Sequence, residues 1–273
     1  MTEKPNRGRR RKSPVETFEL SMLGGATERR FRRLRPELER IKWGSLAAAR
    51  IPDEMIGEAR EVWTRVAYIE YRSAAAMTAV AELLIAAKAP LNLSAIASRF
   101  AFDELCHAEM CSRVLGELGG AIQWLHPSDD LIWERPPVQL PPLTRAADLV
   151  VSVFCVAEAF ALPMAQVAAR QNAKQPLVGE VMSRIARDEA DHASFGWIFF
   201  DWATPFLDQA AREHIHRAAS LALREYESSI SDLSHDSGPT LGWLSDRDFR
   251  LHAERALEQD VRRPLRLRGL WNG

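Results

Sequence analysis

The spacing of the glycine- and proline-rich breaks is the feature that most constrains how this chain can fold. Between residues 52 and 205, apolar residues recur with helical period in four long segments separated by three breaks. The first and third breaks span a few residues, whereas the middle one, residues 119–143, holds two glycines and five prolines. Short connections produce antiparallel neighbours. The pattern therefore predicts an all-α chain built on a four-helix bundle, with one long crossover between helices two and three.

Two flanking regions complete the predicted organisation. Residues 51–205 form the bundle, and residues 206–273 carry additional C-terminal helices and a tail that we expect to pack on it. Residues 1–50 have a net charge of +8, against −1 for the whole chain, with basic clusters at 7–12 and 29–35. Such clusters indicate a solvated, partly disordered N-terminal arm. No zinc-finger, RNA-binding aromatic or phosphate-binding glycine motif accompanies them, which disfavours nucleic-acid binding.

The cysteines and the apolar runs bear on the compartment. Three cysteines without a C-x-x-C pair exclude a disulfide framework and a cysteine-based zinc or rubredoxin-type iron site. The basic N-terminus is not followed by the apolar stretch of a secretory signal. Residues 149–169 are apolar enough to span a bilayer, but they contain Glu158, Pro163 and Gln166. A buried bundle helix is also apolar on all sides, so we predict a cytoplasmic protein without a membrane span.

The string Asp-Glu-x-x-His occurs twice, once in each predicted hairpin. Its members are Asp103, Glu104 and His107 on the second helix, and Asp188, Glu189 and His192 on the fourth. A Glu and a His three residues apart lie on one helix face, one turn apart, so both can reach a single ion. Both pairs stand in otherwise apolar columns, where a carboxylate is costly unless it is paired, hydrogen-bonded or bound to metal. The pattern therefore indicates a metal site.

The first and third helices each offer a candidate carboxylate. Glu158 stands alone in an apolar run and precedes Glu189 by 31 residues, so the two face each other across their hairpin. On the first helix, Glu70 and Glu82 compete. Hairpin symmetry alone favours Glu82, whereas the match with the second hairpin favours Glu70, which precedes Glu104 by 34 residues. We predict Glu70, and Glu82 stays open as the alternative.

Two Glu and two Glu-x-x-His from four helices form a set that resembles the ferritin-like di-iron carboxylate superfamily, in particular its bacterial oxidases and monooxygenases, over about residues 54–203. The resemblance implies a ferritin-like bundle and two iron ions, with an Fe/Mn pair as the open alternative. The implied metal ligands are Glu70, Glu104, His107, Glu158, Glu189 and His192. Glu104 and Glu189 would bridge the ions. Asp103 and Asp188 would each accept the far N–H of a ligand imidazole and fix its tautomer.

Departures from known subgroups narrow this resemblance. Cys111, four residues after His107, stands where the ribonucleotide reductase small subunit carries its radical tyrosine and where the methane monooxygenase hydroxylase has a cysteine. A radical-storing reductase subunit is therefore disfavoured. Several hydroxylases and desaturases carry a threonine near the glutamate of the third helix, a position that corresponds here to Ala161 or Leu162. The arylamine N-oxygenases carry an extra histidine one turn before the glutamate of the fourth helix, where this chain has Ile185. Neither subgroup matches closely.

The implied function is an O2-activating non-haem di-iron oxidase or oxygenase. It would act on a small, partly apolar organic substrate by hydroxylation, N-oxygenation, desaturation or oxidative cleavage. O2 would be the co-substrate, and the electron donor would be a separate ferredoxin or reductase, because the chain carries no reductase, ferredoxin or flavin motif.

We also expect Pro163 to distort the third helix beside Glu158. The predicted pocket residues lie within about one or two turns of a ligand on the same helix: Phe100, Cys111, Phe154, Leu162, Phe195 and Phe199.

Two other functions stay open at this point. A ferroxidase or a peroxide-reducing ferritin-like protein would carry a similar motif, usually on a shorter chain. A metal-stabilised binding protein would use its metal for structure and its basic arm for a partner. The oligomeric state is equally open, with a homodimer as one option.

Overall fold

The computed structural model describes residues 13–46, 51–231 and 238–273, and helices make up 72% of them, which confirms the predicted all-α class. The α-helices are α1 (Gly25–Leu34), α2 (Asp53–Ala86), α3 (Leu91–Glu117), α4 (Pro142–Val150), α5 (Ala159–Gln171), α6 (Pro176–Ala203), α7 (Gln209–Ser231), α8 (Asp246–Ala256) and α9 (Arg263–Leu267). Two π-helical segments cover Val151–Glu158 and Leu257–Arg262, and two 3₁₀ turns cover Leu38–Arg40 and Thr204–Phe206. Two short antiparallel strands pair, β1 (Val15–Thr17) with β2 (Leu125–Pro127).

Prolines define where three of the long helices begin. α3 starts at Leu91, directly after Pro90. α4 starts at Pro142 and α6 at Pro176, each with proline in its first turn. Proline fits there because the first N–H groups of a helix have no partner within the helix and because its fixed φ is already helical.

Four central helical segments pack side by side around a shared interior. They are α2, α3, α6 and the continuous rod formed by α4, the π-helical segment and α5. α2 packs against α3 and α4, α3 against α6, and α6 against the π-helical segment and α5. The connections α2–α3 and α5–α6 are short, and the connection α3–α4 is long, as the sequence predicted. α7 packs on α4 and the π-helical segment, and α8 packs on α5.

The rod Pro142–Gln171 is long and apolar enough to cross a membrane by length and composition alone. In the structure, 67% of its most apolar 18-residue stretch is buried inside the molecule. Val150, Val151, Cys155 and Val156 are all completely buried, although they point in different directions around the rod. This is the environment of a core helix in a bundle, which is also apolar on all sides.

The rod is distorted directly before Glu158. The π-helical segment Val151–Glu158 ends at that residue, and Pro163 lies five residues further on, inside α5. Proline has no N–H for the carbonyl of Ala159, and its ring crowds that carbonyl. The distortion expected beside Glu158 is therefore present, as a π-helical stretch on the N-terminal side of the proline. Such stretches frequently occur at functional sites.

The N-terminal region differs from the solvated arm that its charge suggested. Residues 13–46 lie on the bundle, and Leu38, Ile41 and Leu46 are buried. Ion pairs and hydrogen bonds join this segment to α3: Arg32 to Glu109 (3.0 Å), Arg113 to Glu39 (2.8 Å), and the N–H groups of Gly44 and Leu46 to Glu117 (2.6 and 2.8 Å). The expectation rested on net charge and overlooked these complementary charges on α3. The basic cluster at 7–12 lies outside the described residues.

A close contact between α6 and the π-helical segment generates a stability prediction. A Cβ at Gly196 would lie 2.6 Å from the sulfur of Cys155 and 3.0 Å from the Cβ of Phe154. Gly196→Ala should therefore lower the free energy of unfolding by about 1–3 kcal/mol, the usual cost of overpacking a core. Urea denaturation of the two proteins measures the difference.

Gly116→Ala is the matched control, because a Cβ at Gly116 in α3 would have no neighbour within 4 Å. Alanine has the higher helix propensity, so this variant should gain up to about 1 kcal/mol. Equal unfolding midpoints for the Gly196 variant and the wild type would contradict the close packing.

Candidate metal centre

Six ionisable side chains from the central helices converge in the interior of the protein. α2 contributes Glu70, α3 contributes Glu104 and His107, the end of the π-helical segment contributes Glu158, and α6 contributes Glu189 and His192. Both histidine side chains are completely buried, and the Glu104 side chain is 1% exposed. Among the carboxylates of the cluster that form ion pairs, Glu70 has the most exposed side chain, at 12%. The structure thus brings together all six residues that the sequence singled out.

The six side chains form two overlapping groups of four, each of which could hold a metal ion. One group is Glu70, Glu104, His107 and Glu189, and the other is Glu104, Glu158, Glu189 and His192. Within each group, one potential ligand atom from every residue lies within 4.8 Å of the others. Glu104 and Glu189 belong to both groups. They therefore lie between two neighbouring cation positions.

The Nδ1 atoms of both histidines face the carboxylates. Nδ1 of His107 lies 3.3 Å from Oε2 of Glu70 and 3.3 Å from Oε1 of Glu189. Nδ1 of His192 lies 3.0 Å from Oε1 of Glu104 and 3.4 Å from Oε2 of Glu189. Each imidazole therefore directs one nitrogen at the centre of its group of four, as a metal-binding histidine does.

The Nε2 atoms of the histidines face the motif aspartates, and they do so across the two motifs. Nε2 of His107 lies 3.3 Å from Oδ2 of Asp188, and Nε2 of His192 lies 3.9 Å from Oδ2 of Asp103. A neutral imidazole that binds metal through Nδ1 carries its proton on Nε2. Asp188 can therefore accept the far N–H of His107, which fixes the orientation of that ring. Asp103 faces His192 from beyond hydrogen-bond distance, and Nε2 of His192 is buried without a hydrogen-bond partner among the described residues.

Unsatisfied polar atoms at the centre show that the cluster fits a cation. Among the described residues, Oε1 of Glu104, Oε2 of Glu189 and Nδ1 of His192 are buried without a hydrogen-bond partner. The 3.0 Å approach between Glu104 and His192 lacks the angles of a hydrogen bond. A buried unsatisfied group costs about 1–3 kcal/mol, and more when it is charged. A metal ion bound among these atoms would compensate that cost.

The carboxylates differ in how readily they ionise. Burial raises the pKa of Glu70 and of Glu158, and the negative charge of Glu104 or Glu189 raises it further. Burial acts in the same direction on Glu104 and Glu189, but their contacts with His107 and His192 lower the pKa of both. The two shared carboxylates therefore ionise more readily than Glu70 and Glu158. Metal binding would displace protons from the rest of the cluster.

Arg35 is a residue of this centre that the sequence reasoning missed. Its guanidinium donates from Nη1 to Oδ1 of Asp103 (2.6 Å) and from Nη2 to Oδ2 of Asp188 (2.9 Å), and its side chain is 10% exposed. Burial alone would raise the pKa of Asp188, but His107 and Arg35 lower it to about 2. Its charge and its basic neighbours predict a solvated position for Arg35. The available signal was the apolar residues Leu38 and Ile41 just after it, which require burial.

The alternative ligand on α2 lies away from the cluster. Glu82 is 65% exposed and accepts a hydrogen bond of 2.8 Å from Arg135. Cys111, by contrast, is completely buried. Its burial and the nearby charge of Glu70 raise the pKa of its thiol well above the ordinary value. Cys111 is therefore a neutral neighbour of the cluster.

The predicted pocket residues occupy two different environments. Phe100, Phe154 and Phe195 pack against one another with ring centroids 4.9–5.6 Å apart, and Phe100 lies 4.4 Å from the ring of His192. Phe199 is completely buried and packs edge-on against Phe200. Phe100, Phe154 and Phe195 thus form an apolar wall beside His192, and the role of all four phenylalanines as pocket lining stays a prediction.

Leu162 instead lines a cavity of about 580 Å³ between α5, α6 and the C-terminal helices. Three alanines of its wall, Ala159, Ala190 and Ala193, directly follow Glu158, Glu189 and His192 in the sequence. Trp197 and Pro163 add further apolar surface, and polar side chains complete the lining: Gln166, Arg170, Ser194, His252, Arg255, Gln259 and Asp260. The cavity therefore borders the helices that carry Glu158, Glu189 and His192, but none of the six cluster residues is part of its lining.

Comparisons with known proteins give no significant match. No protein-family model, no curated protein and no solved structure matches the chain. The established result is an all-α protein with a buried Glu/His cluster that could hold a metal ion. Its function has to be inferred from the chemistry of that cluster.

The structure generates a direct test of the choice between Glu70 and Glu82. Glu70→Gln should weaken binding of Co²⁺ by at least about tenfold, since loss of even an outer partner of a ligand costs 10–100-fold. Glu82→Gln should leave binding unchanged, because its carboxylate is exposed and pairs with Arg135. Titrations followed by visible absorption measure both affinities. Weaker binding by the Glu82 variant alone would contradict the cluster.

Proposed function

We propose that this protein is an O2-activating non-haem di-iron oxidase or oxygenase on a ferritin-like four-helix bundle. The observation that carries the proposal is the pair of overlapping groups that share Glu104 and Glu189. Two ions bound in these groups would be neighbours bridged by two carboxylates. The origin of the ligands in four central helical segments, with one long crossover, supports the ferritin-like arrangement.

The donor set supports iron as the metal. Four carboxylates and two imidazoles surround the two positions, and neither group includes a thiolate. Oxygen and imidazole donors suit iron and manganese, whereas soft sulfur donors select other metals. We therefore propose two iron ions, and an Fe/Mn pair is the alternative that the same donors would hold.

Each ligand residue has a distinct proposed task. Glu104 and Glu189 would be shared between the two ions, Glu70 with His107 would hold one of them, and Glu158 with His192 the other. A bound ferrous pair would supply electrons and open coordination positions for the reduction of O2. Glu158 stands at the end of a π-helical segment, a geometry frequent at functional sites. Asp188 holds the His107 imidazole in orientation, and Asp103 faces the His192 imidazole.

The surroundings of the cluster support an organic substrate. Phe100 covers one side of His192 and, with Phe154 and Phe195, keeps water away from that side. The cavity lined by Leu162 offers apolar surface on the helices that carry Glu158, Glu189 and His192, and its lining includes two arginines, Arg170 and Arg255. A small, partly apolar molecule with a polar or anionic end fits this lining. The electrons would come from a separate protein donor.

Metal content tests the proposed centre. The metal-free protein should bind about two ferrous ions per chain under anaerobic conditions, and binding should raise its melting temperature by mass action. The double variant Glu104→Ala/Glu189→Ala should lose both ions, because it removes the two shared ligands. Glu82→Ala is the control and should bind two. Retention of two ions by the double variant would refute the assignment.

Oxygen consumption separates an oxygenase from a ferroxidase. The reduced protein should consume O2 slowly alone and faster, with a product 16 mass units heavier or two hydrogens lighter, when the substrate is present. A panel of small aromatic and aliphatic acids and amines, with oxygen-electrode and mass-spectrometric readouts, provides the search. Oxidation of many ferrous ions per chain into a mineral, without any organic compound, would instead establish iron storage.

A further inference from the structure

One arginine from outside the central helices joins the two Asp-Glu-x-x-His motifs. Arg35 lies just after α1, in the N-terminal segment that runs along α3. Its two terminal nitrogens contact Asp103 and Asp188, one from each motif. Its third nitrogen, Nε, donates to Oε1 of Glu37 at 2.6 Å. All three nitrogens of the guanidinium therefore donate to carboxylates.

We propose that Arg35 is a positioning residue of the metal centre. It holds Asp103 and Asp188 in the orientation in which each faces the Nε2 atom of the histidine in the opposite motif. This inference rests on the proposed metal-binding function. It adds that the N-terminal segment, which contains none of the six ligands, is part of the working site.

The geometry requires a bridge between two carboxylates. Asp103 and Asp188 both approach Arg35, although they belong to different hairpins. Two carboxylates so placed repel each other unless a cation lies between them. The planar guanidinium offers parallel N–H donors to both at once, whereas a lysine ammonium acts as a single point charge. Arginine is thus the residue type that can fix both aspartates together.

The contacts of Asp188 show how the bridge would reach the histidines. Oδ2 of Asp188 accepts from Arg35 and also faces Nε2 of His107. In Asp103 the contacts are divided: Oδ1 accepts from Arg35, and Oδ2 pairs with Arg99 at 3.3 Å and lies 3.9 Å from Nε2 of His192, beyond hydrogen-bond distance. Rotation of Asp188 would carry its histidine-facing oxygen away from His107. Arg35 therefore constrains the His107 imidazole through Asp188, and it determines which oxygen of Asp103 faces His192.

Two neighbouring arginines provide matched controls. Arg32 anchors the same N-terminal segment to α3 through Glu109, but it contacts neither motif aspartate in the described structure. Arg99 pairs with Asp103 at 3.3 Å from a position that is 61% exposed. Arg32→Gln tests whether loss of a contact that anchors the segment to α3 is enough to weaken metal binding. Arg99→Gln tests whether loss of any positive charge near Asp103 is enough to weaken it.

The experiment is a Co²⁺ titration of the full-length metal-free protein, followed by visible absorption, with circular dichroism as the check of folding. Arg35→Gln should bind Co²⁺ about 10–100-fold more weakly than the wild type, the usual cost of losing an outer partner of a metal ligand. Its absorption bands should also shift, because the His107 imidazole is no longer held in place through Asp188. Arg32→Gln and Arg99→Gln should bind like the wild type.

Arg35→Lys separates the bridge from the charge and serves if Arg35→Gln does not fold. It keeps a cation but reaches one carboxylate at a time, so its affinity should also fall and its spectrum should shift. Wild-type affinity and spectrum in Arg35→Lys would overturn the proposal, as would an equal loss in Arg32→Gln. If the wild type itself binds no Co²⁺, the metal-binding function fails and not the role of Arg35 alone.

Discussion

The burial of six ionisable side chains at one point in the interior is the constraint on which the rest of the structure depends. Moving a charge from water into a protein costs several kcal/mol unless it is compensated. The two histidines and the shared carboxylates Glu104 and Glu189 compensate each other in part, but unsatisfied atoms remain at the centre. The central helices must therefore be held together strongly enough to tolerate this cost, or a cation must remove it.

The packing around the cluster supplies much of that support. Helices α2 and α3 form one hairpin, α5 and α6 form the other, and each motif aspartate crosses from one hairpin to the histidine of the other. Arg35 adds a third element to this connection. The hairpins are thus joined by polar contacts at the centre and by apolar contacts around it. A change in the polar contacts should alter the apolar contacts, and the reverse, because the same helices carry both.

The environment of the cluster is asymmetric, and this bears on its chemistry. The phenylalanine wall at Phe100 excludes water from the side of His192, whereas the cavity lined by Leu162 opens near Glu158. A low-dielectric surrounding strengthens every charge interaction inside the site. Pro163 and Ala159, the residue directly after the π-helical segment, line this cavity. The cavity therefore borders the stretch of the rod that carries Glu158.

The sequence by itself determined the helical class, the order of short and long connections, and the ligand types, because helical period, proline and motif spacing are local signals. It left Glu70 and Glu82 in competition, since sequence spacing does not define how far one helix is shifted along its neighbour. Only tertiary structure decided that choice, the crossing of each aspartate to the opposite motif, and the position of Arg35. These depend on contacts between residues far apart in the chain, and a charge that looks solvated in sequence becomes buried when its partners lie on another helix.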